Sequence, residues 1–153
     1  MKLNLGCGGY PLDGFTNVDA YPPADVVGDF LQMSFEDVDE VVMTHVLEHL
    51  PWRITLDALK LIRSWMVEGG AITIEVPDIG AILQRGLYDE WAELVMYGVQ
   101  SNSGEFHRAA FTLDKLAACV RASGFQVENA RAFNSEHEMR RGMACIEVIG
   151  VAV

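Results

Sequence analysis

The chain has 153 residues, with 22 Asp plus Glu against 11 Lys plus Arg and a formal net charge of -11. That length suits one domain, residues 1–153, with a real core, and a hydrophobic fraction of 50% excludes general disorder. From Leu3 to Trp52 there is no Lys or Arg, only the acids Asp13, Asp19, Asp25, Asp29, Glu36, Asp37, Asp39, Glu40 and Glu48, which argues against binding nucleic-acid backbones.

Short apolar, β-branched runs recur along the chain. The first three are Leu3 to Leu5, Thr16 to Val18 and Ala24 to Val27, and the next two are Glu40 to Thr44 and Ala71 to Val76. Such runs predict buried strands of a parallel sheet. A helix is predicted over Arg53 to Val67, with Leu59, Ile62 and Met66 on one face and Glu68-Gly69-Gly70 as its stop. A weaker helical pattern covers Tyr88 to Tyr97. A clearer one runs from Leu113 to Ser123, with Thr112 as N-cap and Gly124 beyond its end. Two β-patterned segments close the chain, Gln126 to Ala132 and Ala144 to Val153. Strands alternating with helices predict an α/β fold with a mostly parallel sheet. Trp52, Trp65 and Trp91 read as core or interface residues, and Met33, Met43, Met66, Met96, Met139 and Met143 as scattered core fillers.

The early connections are short. About ten residues separate the first two strands and about five the next two. Ten extended residues reach about 33 Å, enough to return along a short strand but not to add a helix. Part of one sheet face is therefore expected to lie bare or to be covered by something else. A bare apolar face would favour a homodimer.

No apolar run approaches the ~20 residues of a membrane span, and the N-terminus has no signal-peptide pattern. Cys7, Cys119 and Cys145 are dispersed, which suggests a reducing, cytoplasmic setting.

Leu3-Asn4-Leu5-Gly6-Cys7-Gly8-Gly9 is a strand entering a glycine turn, where a ligand can approach the backbone closely. Asp19 and Asp29 end the next two strands. In open α/β sheets, ligands bind at the carboxyl ends of strands near the switch point. A carboxylate at Asp19 suits ribose hydroxyls, and one at Asp29 suits an adenine amino group. A nicotinamide site is disfavoured, since Gly6-Cys7-Gly8-Gly9 lacks the third spaced glycine and a following helix.

The sequence resembles class I S-adenosylmethionine (SAM)-dependent methyltransferases, including a small branch of that family. The likeness lies in LNLGCGG (Leu3 to Gly9), GFTNVDA (Gly14 to Ala20), ADVVGDF (Ala24 to Phe30), VVMTHVLEHL (Val41 to Leu50) and EGGAITIEVPD (Glu68 to Asp78). It continues through Glu105 to Phe125 and so covers nearly the whole chain. The resemblance implies a Rossmann-like sheet of about seven strands with the last one antiparallel, helices reduced in the N-terminal half, and SAM at the strand tips. It also implies that Gly6, Cys7 and Gly8 face the methionine part, and that Asp19 binds the ribose with Ala20 beside it. Asp29 and Phe30 would meet the adenine, and His45 would sit near the cofactor.

Thr44 to Leu50 is expected to begin a helix or turn, with His45 and His49 on one face and Glu48 adjacent. Two histidines without a clear third ligand favour pocket lining and local hydrogen bonds over a metal, so no metal is expected. Phe106-His107-Arg108 follows a Gly/Ser/Asn-rich stretch, Gln100 to Gly104, that could form a lid. His107 or His49 could act as general base, and Arg108 could hold a substrate anion. The expected reaction is methyl transfer to an oxygen or nitrogen of a small molecule or glycan. The alternative is a catalytically silent SAM-binding subunit that completes a partner's site.

Overall fold

The structure, a computed structural model, describes residues 1–85, 90–136 and 142–153, with residues 85, 90 and 91 as backbone only. The strands are β1 (Lys2–Leu5), β2 (Thr16–Asp19), β3 (Val26–Val27), β4 (Val38–Thr44), β5 (Met66–Pro77), β6 (Phe125–Asn134) and β7 (Ala144–Ala152). They form one sheet in the order β3-β2-β1-β4-β5-β7-β6. The first five are parallel, and β7 runs antiparallel between β5 and β6. This is the predicted Rossmann-like arrangement, with the last strand reversed.

The helices are α1 (Thr55–Trp65), α2 (Ile79–Arg85), α3 (Glu90–Tyr97) and α4 (Leu113–Ala122). Helix α1 buries Ala58, Leu59, Ile62 and Trp65, and α4 buries Leu116, Ala117 and Val120. Both pack into a core with Leu3, Leu5 and Val18 from the early strands and Met43, Ile72 and Ile74 from β4 and β5. Thr112 caps α4 by accepting from the Lys115 N–H, as predicted. Helix α2 was not predicted from the sequence. The Tyr88–Asp89 start of the predicted weak helix, the Trp91 side chain and Met139 lie outside the described residues.

One predicted boundary is wrong. The helix expected to reach Val67 ends at Trp65, and the chain enters β5 at once, passing through Glu68-Gly69-Gly70 as strand. The glycines mark an irregularity in the β4–β5 pairing, not a helix stop. A Cβ on Gly70 would lie 3.0 to 3.2 Å from the carbonyl oxygens of Val67, Val38 and Asp39, so close backbone approach demands glycine there. The third strand is also shorter than predicted. Asp25 is drawn out of the ladder into hydrogen bonds with Asn17.

No helix lies in the connections among β1, β2, β3 and β4; the last of them holds only a 3-10 turn, Phe30–Gln32. Yet β1 is not bare. Leu3 and Leu5 are fully buried, and Asn4, whose side chain points to the opposite face, is also buried. The cover on that face is the 7–15 loop, held by two asparagines. Asn17 Oδ1 accepts from Asn4 Nδ2 (2.9 Å) and from the Leu12 N–H (2.8 Å). Asn17 Nδ2 donates to the Leu12 and Phe15 carbonyls and to Asp25, while Asn4 Nδ2 also reaches the Tyr10 carbonyl. A bare apolar face, the reason for expecting a homodimer, is therefore not what these two strands present. Among the described residues, no helix is long and apolar enough to cross a membrane.

Candidate functional site

A cavity of about 570 Å³ opens at the carboxyl ends of β1, β2 and β4, a size ordinary for a cofactor site. Strand order reverses at β1, with β2 on one side and β4 on the other, which makes this the sheet's switch point.

The glycine turn forms one wall. Gly6 has φ +69°, and a Cβ there would lie 2.3 Å from Val46 Cγ2, so only glycine lets β1 turn against that loop. The Gly6 and Cys7 N–H groups both donate to the Val18 carbonyl. Gly8 and Gly9 have open space where a Cβ would stand, so their backbone faces the cavity. Burial, with Asp19 and Asp25 nearby, pushes the Cys7 thiol pKa up, which disfavours a nucleophilic thiolate.

Asp19 sits at the end of β2. Its Oδ2 accepts from the Gly8 N–H (2.8 Å) and its Oδ1 from the Tyr21 N–H (2.9 Å). The carboxylate thus fixes both flanking loops and keeps further lone pairs for a ligand. Asp29 caps the 3-10 turn at Phe30–Gln32 by accepting from the Leu31 N–H, and Phe30 is buried beside it. Asp19, Ala20, Asp29 and Phe30 all line the cavity, as do Gly6, Cys7, Gly8 and His45.

The expectation that His45 and His49 share one helical face does not hold. His45 takes a left-handed φ of +56°, and a tight 3-10 turn, Leu47–His49, follows. A left-handed residue breaks the helical register, so the two rings diverge. His45 Nδ1 donates to Glu48 Oε1 and His45 Nε2 to Glu75 Oε1, each at 3.1 Å, with Cys145 Sγ 3.7 Å from Nε2. Burial pushes the His45 pKa down, but hydrogen bonds with Cys145, Glu48 and Glu75 outweigh it and raise the value to about 10. The ring is an imidazolium bridging two carboxylates, and neither nitrogen remains for a substrate. Glu48 is fully buried; burial alone would raise its pKa, but His45 holds it low.

His49 turns the other way, lines the cavity and donates from Nδ1 to the Phe106 carbonyl (3.2 Å). His107 stands edge-on to it, ring centroids 4.9 Å apart, and donates from Nδ1 to the Val95 carbonyl (2.8 Å). Burial pushes the His107 pKa down, favouring the neutral ring. His107 does not line the cavity and reaches it only through His49. Arg108 points outward to the Ser103 carbonyl and also lies off the cavity wall. Of the Gln100 to Gly104 stretch expected to form a lid, Asn102 and Gly104 line the cavity, and the segment that follows it is stitched down around His107. The His107 N–H donates to the Tyr97 carbonyl, and the Arg108 and Ala109 N–H groups both donate to the Glu48 carbonyl.

Sequence reasoning missed Glu75 and Cys145, which lie 30 and 100 residues from His45 and carry no local signal. It also missed Glu105 on the cavity wall, beside Asn102 of the stretch read as a lid. Asn4 did leave a trace: it is a polar residue between Leu3 and Leu5, with no helix following.

Neither a family model nor a curated protein sequence matches the chain. Solved structures do. A SAM-dependent methyltransferase from Methanosarcina mazei is 15% identical with a TM-score of 0.69, over 99% of this chain and 92% of that one. The 1,6-didemethyltoxoflavin-N1-methyltransferase of Burkholderia thailandensis, solved with that substrate and S-adenosylhomocysteine, is 16% identical with a TM-score of 0.69, over 99% and 70%. A Haloferax volcanii methyltransferase solved in complex with the activator Trm112 is 17% identical with a TM-score of 0.68, over 99% and 81%. The chain therefore has the class I SAM-dependent methyltransferase fold.

Proposed function

We propose that the chain binds SAM in the switch-point cavity and transfers its methyl group to an oxygen or nitrogen of a small molecule or glycan. The observation that carries this reading is the meeting of an open glycine turn, Asp19 and Asp29 around one cavity of cofactor size. The donor and acceptor set suits SAM: backbone at Gly6 to Gly8 for the methionine part, a carboxylate for ribose hydroxyls, and Asp29 with Phe30 for adenine. Acids on the rim also suit a ligand carrying a sulfonium and an ammonium.

Bound SAM would supply an activated methyl group. The chain's own residues would orient the acceptor, exclude water and manage a proton. His49 is the histidine suited to face the acceptor. Its Nδ1–H is committed to Phe106, so the neutral ring offers the Nε2 lone pair as a base.

Calorimetric titration with SAM tests the reading. Asp19→Ala removes charge-assisted hydrogen bonds of about 1.5–3 kcal/mol each, so affinity should fall by roughly 100-fold or more. Circular dichroism checks that the variant folds, and unchanged SAM affinity in a folded variant would refute the site.

The Haloferax volcanii complex with an activator favours a second reading, a subunit that is silent until a partner completes it. Turnover of SAM by the purified chain alone would exclude that reading.

A further inference from the structure

We propose that Glu48, His49 and His107 form a binding site for one divalent transition-metal ion at the inner wall of the cavity. Three observations converge. A carboxylate oxygen of Glu48 and one nitrogen from each ring lie within 4.8 Å of one another. Both rings commit Nδ1–H to backbone carbonyls, at Phe106 and Val95, which leaves Nε2 of each as the lone-pair nitrogen. Each ring thus keeps one lone-pair nitrogen, as a metal ligand must, and is held by the outer hydrogen bonds that usually orient ligating histidines. Glu48 is only 1% exposed, and while its Oε1 accepts from His45, its Oε2 is buried without a hydrogen-bond partner. An orphaned carboxylate oxygen beside two imidazoles is costly unless something positive meets it.

Ligands about 2.0–2.2 Å from a zinc-like ion stand ~3.3 Å apart, so the three atoms need to close by at most ~1.5 Å. The scaffold for that closure is present. The Glu48 carbonyl accepts from the Arg108 and Ala109 N–H groups, which pins the His107 segment against the turn bearing Glu48 and His49. Two imidazole nitrogens and one carboxylate favour zinc, cobalt or iron over magnesium or calcium. The nearby set of His45, Glu75 and Cys145 is a weaker candidate, because both nitrogens of His45 are already engaged with carboxylates.

Of the three ligands only His49 lines the cavity, so the ion would border it and keep coordination positions open to a solute. A consequence for methyl transfer rests on the function proposed above. His49 would then hold metal instead of a proton, and the ion would lower the pKa of an acceptor hydroxyl. Metal binding itself does not depend on that reading, and SAM titration is a separate measurement.

The test uses the tag-free, full-length chain after chelator treatment, titrated with Co²⁺, Zn²⁺ and Mg²⁺. One Co²⁺ or Zn²⁺ per chain should bind, with Mg²⁺ at least tenfold weaker. His49→Ala and His107→Ala should each weaken Co²⁺ binding at least tenfold in folded protein, while Cys145→Ser should not. The visible spectrum of the wild-type cobalt form gives a readout that needs no variant. Bands of a nitrogen and oxygen site support the assignment, whereas a thiolate charge-transfer band would move the ion to Cys145 and overturn it. No binding to the wild-type chain, or binding to either folded histidine variant as tight as to the wild type, would overturn it as well.

Discussion

The two halves of the sheet close their crossovers with different physics. Between β4 and β5 the chain inserts α1, which covers the sheet with Ala58, Leu59, Ile62 and Trp65. Between β1 and β2 it inserts a ten-residue connection without a helix, held down by Asn4 and Asn17. Apolar burial is non-directional and grows with area. Hydrogen bonds are directional, and each is worth less in net stability. The helix therefore supplies stability, and the asparagines supply shape. Shape is what the ligand-facing half needs, because the same connection carries Gly8 and Gly9 to the cavity.

The sharpest break of this contrast is in the helix. Leu59→Ala removes a fully buried side chain and should destabilise the chain by about 2–5 kcal/mol in denaturant unfolding. Asn17→Ala should cost less, about 1–3 kcal/mol, because it strands the Leu12 N–H and part of Asn4 without partners. Its signature should be local: hydrogen exchange should quicken across the 7–15 loop more than in α1. Equal quickening in both would show that the loop and the helix open as one unit.

The smallest effect concerns pH. Hydrogen bonds from the Asn17 backbone and side-chain N–H groups hold the Asp25 carboxyl below the ordinary range of about 3.9. A depressed folded pKa means stability that is present above the unfolded value and lost as pH falls through the folded one. Stability measured from about pH 4 downward should therefore fall less steeply in Asp25→Asn than in the unmodified chain. An identical slope would remove Asp25 from the set of groups that hold this connection.

Much of the cavity was legible because its determinants are local. A strand followed by Gly6-Cys7-Gly8-Gly9, and strands ending at Asp19 and Asp29, can be read within a few residues. The helix stop at Gly69-Gly70 was misread because glycine serves both as a helix terminator and as a point of close strand approach. Only the carbonyls of Val38 and Asp39 across the ladder distinguish the two. His45 and His49 were misread for a related reason: their spacing implied a shared face, and a left-handed φ at His45 separated them.

By itself the sequence determined the strand rhythm, the glycine turn and the carboxylates at the strand tips, because residue type sets local backbone preference and side-chain chemistry. Tertiary structure alone decided which histidine does what. Pairing of β4 with β5 and of β5 with β7 sets Glu75 and Cys145 around His45, and the fold lays His107 against His49 and Glu48. Those groups lie up to 100 residues apart in the chain, so no local preference specifies their meeting. It follows from strand order and from burial of the faces that carry them.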